Sequence, residues 1–106
     1  MKALWDWAIL DGCFGTSNIH PTDMDGLVER KGKFLLIETK SPNKAVPEGQ
    51  AIMFNHLLKT GVFTIIVVWG ETDKPEYLLV WGSKRQKTDL QGFRAEVIKW
   101  YNQIDI

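Results

Sequence analysis

Two stretches of the sequence are apolar on both faces of a strand, and they constrain the fold more than any other feature. The first is FLLI at residues 34–37, and the second is VFTIIVVWG at residues 62–70. Unbroken apolar runs rich in β-branched residues are typical of strands that are covered on both sides. Both stretches are therefore predicted to be buried strands of one sheet.

A helix is predicted between these two strands, and another at the end of the chain. Pro47 suits a first helical turn and Gly61 suits a stop. Apolar residues recur between them at helical spacing: Ala51, Phe54, Leu57 and Leu58. The last segment, 88–104, has Thr88 and Gln91 at the spacing of a capping box. It also carries an apolar stripe, which consists of Leu90, Phe93, Val97, Trp100 and Ile104.

A hairpin is predicted before the first buried strand. Its strands cover 25–30 and 33–40, and they are joined by a tight turn at Lys31 and Gly32. A further strand is predicted over 76–82, and a short helical stripe of Leu4, Trp5, Ala8 and Ile9 is predicted near the start. With 106 residues, the chain suits one domain, 1–106. The expected architecture is α/β, a mixed sheet of about four strands flanked by helices.

The composition of the chain excludes some classes of function. The net charge is zero, which argues against a protein that holds nucleic acid by bulk charge alone. The single cysteine, Cys13, excludes an internal disulfide framework and suits a reducing compartment, so a cytoplasmic location is expected. No apolar run approaches the length of a membrane span, and no membrane partner is expected.

Carboxylates interrupt the hairpin where its strands are otherwise apolar. If the turn contains only Lys31 and Gly32, Asp25 lies directly opposite Glu38, and Lys40 falls on the same face. Opposed residues have Cβ atoms roughly 4.5–5.5 Å apart, so the two like charges repel. A hard divalent cation, Mg²⁺ or Mn²⁺, would relieve that repulsion.

The register leaves alternatives open. A bulge in the turn would shift the pairing by one residue, and the charged residues could instead form a solvated edge. The side chain of Thr39 is expected to point away from the carboxylates, whereas its backbone carbonyl could face the same ion. Asp23 has three possible roles: a further metal ligand, a partner of Lys40 or a stabiliser of the turn before the strand.

The pattern PTDMDG at 21–26, followed after the turn by LLIETK at 35–40, resembles the PD-(D/E)XK nuclease superfamily, in particular its resolvase-like and VRR-NUC-like members. Glu38, Thr39 and Lys40 match the (D/E)-X-K element, and Asp25 matches the preceding aspartate. Gln50 matches a glutamine that often follows the motif. The resemblance covers roughly residues 21–70 and implies a restriction-endonuclease-like core.

The resemblance also implies roles for these residues. Asp25, Glu38 and the Thr39 carbonyl would bind Mg²⁺ or Mn²⁺, Lys40 would orient or activate the attacking water, and Gln50 would line the site. Many relatives carry another acidic residue on an N-terminal helix. Only Asp6 or Asp11 could serve here, and a one-metal mechanism is expected if neither reaches the site.

The expected function is a metal-dependent DNA endonuclease that acts on branched or flapped DNA, as Holliday-junction resolvases do. Basic side chains in two predicted turns are candidates for holding the DNA: Lys31, Lys33, Lys84, Arg85 and Lys87. A homodimer is a further expectation by analogy. The alternative function is a catalytically inactive DNA-binding or assembly module with the same fold.

Overall fold

The computed structural model describes residues 5–104 as an α/β structure, in which a five-stranded mixed sheet carries one helix on each face. The elements in chain order are a 3₁₀ helix at Trp7–Leu10, β1 at Gly26–Arg30, β2 at Lys33–Lys40, α1 at Glu48–Lys59, β3 at Phe63–Glu71, β4 at Lys74–Val80, β5 at Gln86–Lys87 and α2 at Leu90–Ile104. The predicted α/β class, a mixed sheet flanked by helices, is confirmed. The fifth strand lies in a stretch that was predicted to be a turn.

The strands lie side by side in chain order, from β1 to β5. The β2–β3 pair is parallel, and the other three pairs are antiparallel. A parallel pair needs a crossover connection, and α1 provides it. The carboxyl ends of β2 and β3 therefore meet at one edge of the sheet.

The β1–β2 hairpin turns on Lys31 and Gly32, which both have positive φ angles, 52° and 79°. Such a two-residue turn matches the twist of the flanking strands. The pairs run from Arg30 opposite Lys33 to Gly26 opposite Ile37 without a bulge. Asp25 directly precedes β1, so the predicted pairing of Asp25 with Glu38 lies one residue beyond the observed register.

Side chains of β2 alternate between two apolar clusters. Leu36 packs with Phe54 of α1, and Leu35 packs with Trp100 of α2. All four side chains are buried. We refer to these two sides of the sheet as the α1 face and the α2 face. By alternation, Glu38 and Lys40 continue the α1 face beyond Leu36.

The predicted N-terminal helix is a short 3₁₀ helix, and its apolar side chains are not packed into a core. Trp5 is 67% exposed and Ile9 is 64% exposed, so the stripe does not mark a buried face. Leu4, which was predicted to share that stripe, lies outside the described residues. Neither helix of residues 5–104 has the length and hydropathy that crossing a bilayer requires.

The start of α2 differs from the prediction. The side chain of Asp89, rather than Thr88, accepts a hydrogen bond from the Gly92 amide at 2.8 Å. Asp89 therefore takes the capping role. The other residues of the predicted stripe pack in the α2-face cluster. Leu90, at the first helical position, lies outside that cluster and is 53% exposed.

Candidate active site

Within residues 5–104, Glu38 is the one charged side chain that is buried, with 8% of its surface exposed. It follows the apolar run of β2 and lies on the α1 face, opposite Val67 of β3. A buried carboxylate lowers the stability of the fold unless a partner compensates for its lost hydration. Its neighbours are therefore informative.

Asp25 reaches Glu38 from the neighbouring strand and is fixed by Thr39. The backbone amide of Thr39 donates to Asp25 Oδ2 at 2.8 Å, and its hydroxyl donates to the same oxygen at 2.9 Å. The expectation that the Thr39 side chain points away is therefore wrong. Asp25 precedes β1, so strand alternation does not restrict its side chain, which can meet both Thr39 and Glu38.

The two carboxyl groups contact each other and titrate as a pair. Burial raises the pKa of Glu38, and the charge of Asp25 and the hydrogen bond between the two groups raise it further. Burial also raises the pKa of Asp25, but the hydrogen bonds from Thr39 and Glu38, with the charge of Lys40, outweigh it and leave that pKa below 3.8. Asp25 is thus the charged member of the pair, and Glu38 is the member that tends to hold a proton.

Lys40 and Gln50 complete the cluster. The positive charge of Lys40 lowers the pKa of both carboxyl groups, and a side-chain hydrogen bond from Gln50 lowers that of Glu38. Gln50 comes from the first turn of α1. Its Oε1 atom is buried and has no hydrogen-bond partner in the described part of the chain. The site therefore contains an acceptor that a donor, such as a water molecule, could satisfy.

The donor set fits a hard divalent cation. Asp25 and Glu38 supply carboxylate oxygens, and such ions prefer oxygen ligands. Over residues 5–104, no group of three or more His, Cys, Asp and Glu side chains has a metal-holding arrangement. Among these residues, neither Asp6 nor Asp11 forms a group of three carboxylates with Asp25 and Glu38.

Asp6 and Asp23 are engaged elsewhere. Asp6 caps the 3₁₀ helix by accepting from the Ala8 amide at 3.0 Å. Asp23 accepts a hydrogen bond from the indole nitrogen of Trp7 at 2.9 Å. Asp23 thus ties the N-terminal segment to the chain just before β1. This contact agrees best with the third role considered for Asp23, that of a structural group.

The five basic candidates fall into two places. Lys31 and Lys33 lie at the hairpin turn, and Lys33 is about 17 Å along β2 from Glu38 at the usual strand rise. They are therefore too far away to touch a phosphate at the carboxylate pair. Lys84, Arg85 and Lys87 lie on the segment that contains β5, on the side of the sheet where β3 and β4 border the site.

Two aromatic residues that the sequence analysis did not assign to the site border it. Trp69 pairs with Lys40 across the parallel strands, and Tyr77 pairs with Trp69 across the next pair. The guanidinium carbon of Arg85 lies 4.4 Å from the centroid of each ring. The available signal was the predicted strand–helix–strand order, since the carboxyl ends of parallel strands meet at one edge of a sheet.

A cleft of about 410 Å³ opens beside Lys40, between the ends of β2 and β3 and the β3–β4 turn. Thr39, Val68 and Phe93 line its α2 side. Asp25 and Glu38 are not among its lining residues. The carboxylate pair and the cleft are thus neighbouring features, with Lys40 between them.

Comparison of the chain with models of known protein families, with curated proteins and with solved structures found no match.

Proposed function

We propose that this protein is a metal-dependent DNA endonuclease with a PD-(D/E)XK-type site. One observation carries the proposal. The carboxyl group of Asp25, just before β1, contacts that of Glu38 on β2, and Lys40 and Gln50 act on the same pair. This is the set of groups that the sequence motif assigns to metal binding and water activation, and it forms one cluster.

The energetic cost of placing two carboxyl groups together favours a functional role for Asp25 and Glu38 over a structural one. Two carboxylates placed opposite each other are destabilising, and burial adds to that effect. An apolar residue at position 38 would extend the FLLI run and would avoid both the repulsion between the carboxylates and the burial of a charge. The pKa values of the two carboxyl groups move in opposite directions, one raised and one lowered, and paired groups whose pKa values are pushed apart are typical of acid–base sites.

In the proposed mechanism, Asp25, Glu38 and the Thr39 carbonyl would hold the cation. A bound Mg²⁺ supplies Lewis-acid activation of the phosphoryl group and of the attacking water. Thr39 keeps the Asp25 carboxylate ionised and oriented through its two hydrogen bonds. The Lys40 ammonium offsets the negative charge that grows on the phosphate as the P–O bond breaks. Gln50 Oε1 is available to accept a hydrogen bond from the attacking water and so orient it.

The decisive experiment is a cleavage assay on linear, nicked, flapped and four-way DNA, with Mg²⁺, with Mn²⁺ and with EDTA. We expect metal-dependent cleavage by the wild type and its loss in Glu38→Gln, which keeps the side-chain shape but removes the charge. Glu76→Gln is the matched control, because Glu76 is an exposed glutamate of β4. No cleavage of any of these substrates by the wild type would refute the nuclease function.

A second function is favoured by the raised pKa of Glu38. A protonated Glu38 that is hydrogen-bonded to Asp25 needs no cation, so the cluster would be compatible with an inactive DNA-binding or assembly module. The Lys40→Ala variant separates the two functions. An enzyme should lose about 10²–10³-fold in kcat when this charge is removed, whereas a binding module should bind DNA without cleaving it and should be insensitive to the change.

Two further parts of the proposal concern the oligomeric state of the protein and its cellular compartment. A homodimer would place two such sites on two strands of branched DNA, and sedimentation of the purified protein with and without that DNA tests this. The cysteine usage favours a reducing compartment such as the cytoplasm.

A further inference from the structure

A row of basic and aromatic residues leads away from the carboxylate pair across the sheet. Register places Lys40 beside Trp69, Trp69 beside Tyr77, and Tyr77 beside Lys87, on four successive strands. Directly paired residues share a face of the sheet, and this is the α1 face, on which Trp69 packs. At the usual strand spacing, the row is about 14 Å long.

Arg85 lies over the middle of this row. Its guanidinium carbon is 4.4 Å from the ring centroid of Trp69 and 4.4 Å from that of Tyr77. Both distances are within the range of a cation–π interaction. Two rings hold the planar group at the same distance, so its position depends on both of them.

The ring of Trp69, which lies nearer to the carboxylate pair in this row, is rigid. Trp69 is 3% exposed, and its indole nitrogen donates to the Lys44 carbonyl at 2.6 Å. Tyr77 is 36% exposed and forms the outer ring. A guanidinium that is stacked on fixed rings loses less conformational freedom on binding than a free side chain does.

The donors of Arg85 are available. Among residues 5–104, no acceptor takes a hydrogen bond from its guanidinium and no carboxylate pairs with it. The cation–π contacts fix the position of the guanidinium and use none of its N–H donors. An arginine that is positioned by aromatic rings and has unused in-plane donors is suited to binding a phosphate group through two parallel hydrogen bonds.

We infer that this row is the track for the DNA strand that is cut, with Arg85 holding a backbone phosphate one or two nucleotides from the cleaved bond. Tyr77 lies two strands away from Glu38, about 10 Å across the sheet, which is a separation of one or two nucleotides. The inference rests on the proposed nuclease function, because that function supplies the reason for DNA to pass the carboxylate pair. Arg85 is here a positioning residue.

The test measures binding of a fluorescein-labelled flapped DNA over a series of salt concentrations, in the Glu38→Gln background so that no strand is cut. Arg85→Ala should weaken binding about tenfold and lower the slope of log affinity against log salt by about one. Arg85→Lys should retain the slope but lose part of the affinity, because an ammonium lacks the planar fork. Arg94→Ala, on exposed α2, is the matched control and should change neither.

Cleavage by the Arg85→Ala variant gives a second measurement. KM should rise while kcat changes less, and the melting temperature should fall only by the few degrees that loss of the cation–π contacts costs. If Arg85→Ala and Arg94→Ala have the same affinity, salt slope and KM, the inference that the DNA strand follows this row is wrong. Loss of cleavage in Glu38→Gln would still support the nuclease in that case. Conversely, Arg85-dependent binding by a protein that never cuts would preserve the track and refute the enzyme.

Discussion

The two faces of the sheet use the same strand in different ways. On the α2 face, β2 presents Leu35 and Ile37, and both pack into one cluster with Trp100. On the α1 face, Leu36 packs against Phe54, but the next position on that face is Glu38. The α2 face of β2 is therefore apolar as far as Ile37. On the α1 face, the apolar Leu36 is followed two residues later by the charged Glu38.

The difference shows how a small domain can position a charged site. The apolar run fixes β2 between both helices, so the backbone that carries Glu38 and Lys40 is rigid before their chemistry is considered. Sites on strands hold their geometry better than sites on loops. We expect substitutions on the α1 face beyond Leu36 to change activity more than stability, and substitutions on the α2 face to do the reverse.

The largest effect is expected for Asp25→Asn. The change removes the charged member of the pair while the amide can keep one hydrogen bond with Thr39. Cleavage should fall by about 10²–10⁴-fold, with little change in melting temperature. Asp73→Asn, in the exposed β3–β4 turn, is the control. A fully active Asp25→Asn variant would contradict the assignment of this face to catalysis.

Leu35→Ala tests the other face. Leu35 is fully buried, and truncation of such a side chain costs about 2–5 kcal/mol of unfolding free energy. Urea unfolding followed by circular dichroism measures the loss. At temperatures where the variant stays folded, its kcat and its Mg²⁺ dependence should match those of the wild type. A change in the metal dependence would show that the two faces are coupled.

Metal binding should stabilise the wild type through the α1 face alone. Mg²⁺ at ten times its dissociation constant should add about 1.4 kcal/mol to the free energy of unfolding. Thermal unfolding with and without the ion measures this, and NaCl at the same ionic strength is the control. Asp25→Asn should lose the effect, and an equal gain in that variant would place the ion elsewhere.

The smallest effect concerns pH. The folded-state pKa of Glu38 is above the usual 4.5, so the folded state holds this proton more tightly than the unfolded chain does. This contribution to stability is complete below pH 4.5 and falls as pH rises through the raised pKa. Asp25 has the opposite sign: its pKa is below 3.8, so its contribution is present above that value and is lost as pH falls through the lowered pKa.

Glu38→Gln should therefore be more stable than the wild type at neutral pH, by about 0.2–1 kcal/mol. The advantage should disappear in acid, where Glu38 of the wild type is protonated. Melting curves of both proteins in metal-free buffer from neutral to acidic pH measure the difference. A constant gap at every pH would show that repulsion between the two carboxylates is not its cause.

Much of the fold and the position of the carboxylates could be predicted, because local rules decide them. Lys31 and Gly32 form a two-residue turn, and that turn sets a register that runs to Gly26 opposite Ile37, one residue before Asp25 and Glu38. The apolar runs identified the buried strands, since only central strands are apolar on both faces. The roles of these residues in catalysis stay predictions.

Other features depend on contacts that no local pattern encodes. The strand at Gln86–Lys87 is short and polar, so it has no alternation to detect. The Thr39 hydroxyl contacts Asp25 because the aspartate lies just outside its strand. The position of Arg85 over Trp69 and Tyr77 depends on the registers of two strand pairs at once. The 3₁₀ helix carries apolar residues that a periodicity argument places in a core.

The hairpin has a consequence for the order in which the protein folds. Asp25, Glu38 and Lys40 all belong to one antiparallel ribbon, and such ribbons form in about 1–10 μs, faster than pairings that need a crossover. We therefore expect the mutual repulsion of the acids to arise early in folding. The compensating ammonium arrives on the same ribbon, so the nascent hairpin already carries part of its own counter-charge before β3 has found its place.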